Sequence, residues 1–275
     1  MVRAMHMLLS VAFWLFFSIT SIPCFAIAVA IWLVSLPFDP QGRANHLFTC
    51  AWARLYTLVY PGWKLTYVGR EKIDPRKAFV LVSNHASFAD IILLYGLFRQ
   101  FKWVSKHTVF YAPLVGWNMY LCRYVSLVRG NEQSVLRMME ECRTWLRNGM
   151  PVMLFPEGTR SKDGSVAPFK HGAFTLALDT GIPVLPIALH GTHAVLPKHG
   201  ATVSLRADLE IEVLDPVPPE GFSDPYAYGE AVRRKIRAAL GQDPIGAPGP
   251  TPDPAARRGL EPRRRHPEAG PDQER

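Results

Sequence analysis

The sequence is poor in cysteine. Cys24, Cys50, Cys122 and Cys142 are the only four in 275 residues, and no two form a C-x-x-C pair. That spacing excludes a disulfide framework and the usual zinc sites, and no metal is implied. Reduced, mostly structural thiols suit a cytoplasmic catalytic body. No G-x-S-x-G stretch occurs, so the elbow that presents a serine nucleophile between strand and helix is missing. No internal repeat is evident, which removes solenoid architectures. Charge is missing locally as well: residues 5–37, MHMLLSVAFWLFFSITSIPCFAIAVAIWLVSLP, hold no Asp, Glu, Lys or Arg.

That uncharged run is longer than the roughly 20 apolar residues a spanning helix needs. Pro23 divides it into two arms, each short for an untilted crossing. It reads either as one tilted, kinked span or as a re-entrant pair of helices within one leaflet. Trp14, Phe16, Phe17 and Trp32 suit interfacial depth. A cleaved signal peptide is the rival, with Arg3 ahead of the run and Cys24-Phe25-Ala26 as a small-residue site. The run continues to Leu36, which favours an anchor, so 1–40 is expected to be a membrane-anchoring helical segment. Downstream, Arg43, Arg54, Lys64 and Arg70 outnumber Arg3, which puts the body on the cytoplasmic side of the inner membrane. Residues 44–60, ANHLFTCAWARLYTLVY, read equally as a helix on the bilayer face or a core helix.

An apolar content of 48% excludes a wholly disordered chain, and the length permits one substantial core. The formal net charge of +8 favours an anionic partner: phosphate, a nucleotide-bearing cofactor, lipid headgroups or nucleic acid. The excess belongs to 1–240, because six Arg balance six Asp or Glu from Gly241 onward. From Asp243 the composition turns Pro-, Gly- and Arg-rich, so 243–275 is expected to be a disordered tail. Arg263-Arg264-Arg265 reads as a solvated charge run. A nucleic-acid partner is not expected, since most aromatics sit in apolar runs rather than interleaved along a basic stripe.

Between these ends, 41–242 alternates strands with helices. WKLTYVG, FVLVS, KWVSK, the run at 125–128, PVMLF and IPVLPIALHG read as strands, and ATVSLRADLEIEVLDPV as one or two more. Helices are expected from about Ser87 to Phe98 and over HGAFTLALDTG. In NEQSVLRMMEECRTWLRNG, Val135, Met138, Met139, Cys142 and Leu146 share one face and Asn148-Gly149 closes the helix. SDPYAYGEAVRRKIRAALG places Ser223 as N-cap, Pro225 at the first helical position and Gly241 at the end. The fold class is α/β, with a mostly parallel central sheet flanked by helices. In such sheets functional residues gather beyond the carboxyl ends of the strands.

Two of those ends carry reactive side chains. In FVLVSNHASFADIILL, His85 and Asp90 are five apart, which on one helix would leave them about 140° from each other. They meet only if the chain bends between strand and helix, and Ser87-x-x-Asp90 matches a helix-opening pattern. A carboxylate on one imidazole nitrogen fixes the tautomer and leaves the other as a general base. The bland alternative is a capping Asp90 beside an ordinary loop histidine. In LFPEGTRS, Gly158 permits a tight turn and Thr159 can cap or donate. Arg160 offers a planar fork for phosphate, with Glu157 to orient it or bind a hydroxyl. A surface ion pair would explain the same residues. Lys106 and Arg129 follow strand-like runs and would help to form an anion pocket; Lys102 has no assigned role.

NHASFAD, YVSLVRG, FPEGTR and IPVLPIAL, in that order, resemble the four sequence blocks of the membrane glycerolipid acyltransferases, most of all the bacterial 1-acylglycerol-3-phosphate acyltransferases. The resemblance covers roughly 40–240. It implies that His85 is the general base and Asp90 its orienter. It further implies that Glu157, Gly158, Thr159, Arg160, Arg129 and Lys106 hold the phosphorylated acceptor, and that Pro183 and Pro186 shape a strand near the acyl region. The donor would be acyl-coenzyme A or acyl carrier protein, with no metal, no other cofactor and no acyl-enzyme. The partners would be the bilayer and a lysophospholipid, lysophosphatidic acid or another, with an aminoacyl lysolipid as the alternative acceptor. A catalytically silent lipid-binding scaffold is the alternative outside enzymology.

Overall fold

The structure is a computed structural model that describes residues 2–59, 62–196, 203–204 and 206–242, with side chains from Met7 onward. The tail expected at 243–275 lies outside the described residues.

The chain opens with α1 (Val2–Ser35) and α2 (Arg43–Leu58), then alternates strands with helices. The strands are β1 (Trp63–Val68), β2 (Val80–Ser83), β3 (Lys102–Lys106), β4 (Val125–Leu127), β5 (Val152–Leu154), β6 (Val184–His190) and β7 (Ala207–Val213). The later helices are α3 (Ala89–Tyr95), α4 (Val115–Leu121), α5 (Glu132–Arg147), α6 (Gly172–Thr180) and α7 (Pro225–Ala239). Seven strands form one sheet in the order β1-β7-β6-β2-β5-β3-β4. All neighbours run parallel except β6 and β7. The α/β expectation therefore describes the molecule.

β2 lies at the centre, with Val80 opposite both Val152 and Val184. Its period-two alternation feeds two cores. Phe79 and Leu81 join α1, α2 and α3 residues on one face; Val80 and Val82 join α5, α6 and α7 residues on the other. Each such apolar side chain contributes about 1.5–3 kcal/mol by leaving water. Pro186 sits in β6 opposite Val82. Its carbonyl accepts the Leu214 N–H, so the side lacking a donor faces β7 just before that ladder begins at Ile187.

Several local expectations are corrected. α1 continues through Pro23 as one helix, which agrees with the single-span alternative and not with a re-entrant pair. Hydroxyls of Ser18, Thr20 and Ser21 donate to the carbonyls of Trp14, Phe16 and Phe17 in the preceding turn. Packing on both sides of the proline compensates for its missing N–H: Tyr56 meets Phe17 and Ser21, and the Asn45 side chain donates to the Ala28 carbonyl. Met7–Ser35 is long and apolar enough to cross a membrane, and Leu8, Val11, Leu15, Ile19, Ile22 and Leu33 are exposed along it. Such a helix points to membrane association. α2 is a core-packing helix, with Cys50, Trp52, Ala53 and Tyr56 buried. α3 stops at Tyr95 rather than Phe98. Val135 is 38% exposed and lies off the buried face of α5. Asp224, not Ser223, caps α7, accepting the N–H groups of Tyr226 and Ala227.

Lys102 begins β3 at the end of the sheet away from the strand carboxyl ends and is fully buried. Its ammonium lies 4.8 Å from the Trp145 ring and donates to the carbonyls of Cys122 and Gln41. Burial pulls its pKa down to about 8. This lysine ties the start of α2 to the end of α4, a structural duty its sequence neighbours did not signal.

Candidate active site

β2, β5, β3 and β4 run parallel, so their carboxyl ends share one edge of the sheet. Beyond β2, the Asn84 side chain donates to the Leu189 carbonyl at 3.1 Å and accepts the Leu189 N–H at 2.9 Å. This pair of bonds extends the β2–β6 connection by one side chain and sets where the following loop starts.

His85 comes next and is held by its backbone on both sides. Its N–H donates to Glu157 Oε1 at 2.8 Å, and its carbonyl accepts the Ser161 N–H at 2.7 Å. The loop then reverses, bringing His85 Nδ1 to 2.8 Å from Asp90 Oδ2. Asp90 is fully buried, and the same oxygen accepts the N–H groups of Ala86 and Ser87 at 2.7 and 2.9 Å. Carboxylate oxygens only accept, so Nδ1 carries the proton and Nε2 keeps its lone pair in the neutral ring. The ring stacks on Phe155 at 3.9 Å between centroids, and Phe155 stacks on Trp103.

The expected Ser87–Asp90 helix-opening pair is present. The Ser87 hydroxyl accepts the Ala89 N–H at 3.1 Å, and Asp90, in the first turn of α3, reaches back to accept the Ser87 N–H. The same carboxylate oxygen holds the His85 ring, so the helix start and the imidazole share one group.

Glu157 joins the two motif loops. Oε1 takes the His85 N–H and Oε2 the Ala167 N–H at 3.1 Å, leaving the residue 6% exposed. Burial, with the nearby Asp90 charge, pushes its pKa up to about 7 against the opposing effect of the two N–H donors. An acid whose folded pKa is raised binds more protons folded than unfolded between the two values. Its contribution to stability is therefore full below about pH 4.5 and declines as pH rises to about 7. Thermal melts of wild type and Glu157→Gln should show the wild type losing ground across that window and a constant difference outside it. A difference independent of pH would refute the assignment.

Gly158 has φ +71°, and a Cβ there would lie 2.9 Å from Cε and Nζ of Lys170. Thr159 is exposed and Arg160 partly so on the same turn. Lys106 ends β3 and Arg129 follows β4, both exposed on the shared edge, on the second and third strands from β2. His85, Asp90, Glu157 and Gly158 are thus assembled into one cluster, whereas Lys106 and Arg129 share its edge without touching it. Pro183 and Pro186 lie alongside β2, and the Pro183 carbonyl accepts the Val80 N–H. Asn84, Phe155 and Lys170 carried no role from the sequence. The first two stood inside quoted motifs; Lys170 had no motif to mark it.

One group among the described residues has metal-ligand geometry: His190 Nε2 lies 3.1 Å from Glu212 Oε2 and 3.8 Å from Glu210 Oε1. It belongs to the β6–β7 ladder, outside the cluster, and histidine–carboxylate pairing accounts for it.

A family model described as Acyltransferase matches residues 64–190. A 1-acyl-sn-glycerol-3-phosphate acyltransferase of Chlamydomonas reinhardtii is 36% identical over 229 residues, covering 82% of this chain and 68% of that protein. The enzyme of that name from Pseudomonas aeruginosa is 34% identical over 169 residues, covering 60% of this chain and 64% of its own length. The crystal structure of PlsC, the 1-acyl-sn-glycerophosphate acyltransferase of Thermotoga maritima, superposes with a TM-score of 0.75 at 26% identity, covering 88% of this chain and 97% of that one. With the blocks at His85 and Glu157 both inside the matched region, the chain belongs to the acyltransferase family that includes the 1-acyl-sn-glycerol-3-phosphate acyltransferases.

Proposed function

We propose that this protein transfers a fatty acyl group from a thioester, acyl-coenzyme A or acyl carrier protein, to the free hydroxyl of lysophosphatidic acid, forming phosphatidic acid. The observation that carries the reading is the 2.8 Å contact between His85 Nδ1 and Asp90, which leaves Nε2 as the basic nitrogen. Nε2 takes the hydroxyl proton as the acceptor oxygen attacks the thioester carbonyl. Asp90 stabilises the imidazolium formed, and collapse of the tetrahedral intermediate expels the thiolate, which recovers the proton. The donor is already activated, so no acyl-enzyme is required.

In this reading Glu157 is a positioning residue. Both its oxygens hold backbone amides, so it places His85 rather than contacting the acceptor as the sequence suggested. Arg160, Arg129 and Lys106 supply positive charge for the acceptor phosphate. An apolar cleft lined by Phe13, Trp14 and Phe17 of α1 and by Phe88, Ile92 and Leu196 adjoins the start of α3. This small crevice has an all-apolar lining and joins α1 to the start of α3. Residues 1–40 would anchor the enzyme in the inner membrane, with 41–242 as the catalytic domain on the cytoplasmic side and 243–275 as an appended tail.

The test uses the purified full chain in detergent with labelled acyl-coenzyme A or acyl carrier protein and a panel of lysolipids. Transfer to lysophosphatidate is expected. Transfer confined to phosphate-free acceptors would overturn the substrate, and transfer to none would overturn the activity.

A further inference from the structure

Lys170 is an exposed lysine twelve residues beyond Gly158, tied to the motif turn by its own backbone: its N–H donates to the Pro156 carbonyl at 2.9 Å. Its side chain doubles back across Gly158. A Cβ at that position would stand 2.9 Å from both Cε and Nζ, so the absence of a side chain leaves the space the ammonium occupies. The glycine thus serves a left-handed turn and a close cation at once. Among the described residues, the ammonium enters no ion pair. The nearest motif carboxylate, Glu157, has both oxygens taken by the His85 and Ala167 amides. An uncompensated cation is therefore seated on the turn whose first residue, Phe155, carries the stacked His85 ring.

We propose that Lys170 is a recognition cation for the phosphate monoester of the acceptor, acting from its seat over Gly158 on the same turn as Arg160. This rests on the acyl-transfer reading and adds a residue to it. A lysine is suited to the duty: it is a compact point charge that meets a dianionic phosphate from one side while an arginine grips it from another. The coenzyme A donor also carries phosphate, so the experiment separates the two sources.

The variant is Lys170→Met, which keeps the packing of the stem on Gly158 and removes the charge; Lys162→Met, an exposed lysine on the same loop, is the control. In Lys170→Met the KM for lysophosphatidate should rise about tenfold, and preference over monoacylglycerol should fall by a similar factor. The KM for acyl-coenzyme A should stay within about twofold. A rise in donor KM instead, or an equal rise in Lys162→Met, would overturn the acceptor assignment. Titration calorimetry with glycerol 3-phosphate reads the contact without turnover. About tenfold weaker binding by the variant supports the proposal; equal binding, or none by the wild type, overturns it. Should the wild type bind glycerol 3-phosphate through Lys170 yet transfer no acyl group to lysophosphatidate, the acyl-transfer reading falls and the anion contact stands.

Discussion

Replacing His85 with alanine is expected to lower turnover about a thousandfold while the protein still melts cooperatively near the wild-type temperature. The size follows from losing a positioned general base, usually worth about 10²–10⁴ in rate. The tolerance of the fold follows from the loop's construction. What holds residue 85 in place is its backbone, through Glu157 and the Ser161 N–H, and alanine keeps both bonds. Asp90 also keeps its two amide donors from Ala86 and Ser87. The measurement is acyl transfer to lysophosphatidate alongside a thermal melt. Activity within tenfold of wild type would remove His85 from the chemistry.

Asp90→Asn should be nearly as damaging, by a different route. Oδ2 collects three donors; the amide that replaces it carries no charge to stabilise an imidazolium, and if its NH2 turns toward the ring it can no longer take the Nδ1 proton. A fall in kcat of about 100-fold or more is expected, with the acceptor KM moving little because Asp90 is fully buried. The tautomer argument adds a second readout. In the variant the ring is no longer held with its proton on Nδ1, so nitrogen chemical shifts of His85 should show the other tautomer populated. A raised KM with kcat intact would make Asp90 a scaffold for the loop alone.

Much of this site was legible in sixteen residues. Helical geometry required a bend between His85 and Asp90, and the switch from a β-branched run to a helical one marked where it falls. The contact follows from that bend. What escaped reading was whatever the backbone contributes. Glu157 holds two amides, and amides leave no mark in a sequence, so its grip on the His85 backbone was not legible in the FPEGTR block. Pro23 left one helix or two open: local chemistry favours a break there, and α1 instead continues through it, packed on Tyr56 and Asn45. Lys170 reaches Gly158 only because the loop between them folds back, which no periodicity encodes.

The sheet order carries one more consequence. β1 stands at an edge and has a single ladder partner, β7, with Trp63 opposite Ala207. The ribosome releases β1 long before β7 exists, so through most of translation the earlier strand has nothing to zip against. Closure of that edge is therefore a late event of long sequence separation, the slow kind of step in folding kinetics. The apolar helix α1 precedes every strand in the chain, so the segment that points to membrane association is finished long before the sheet's edge closes.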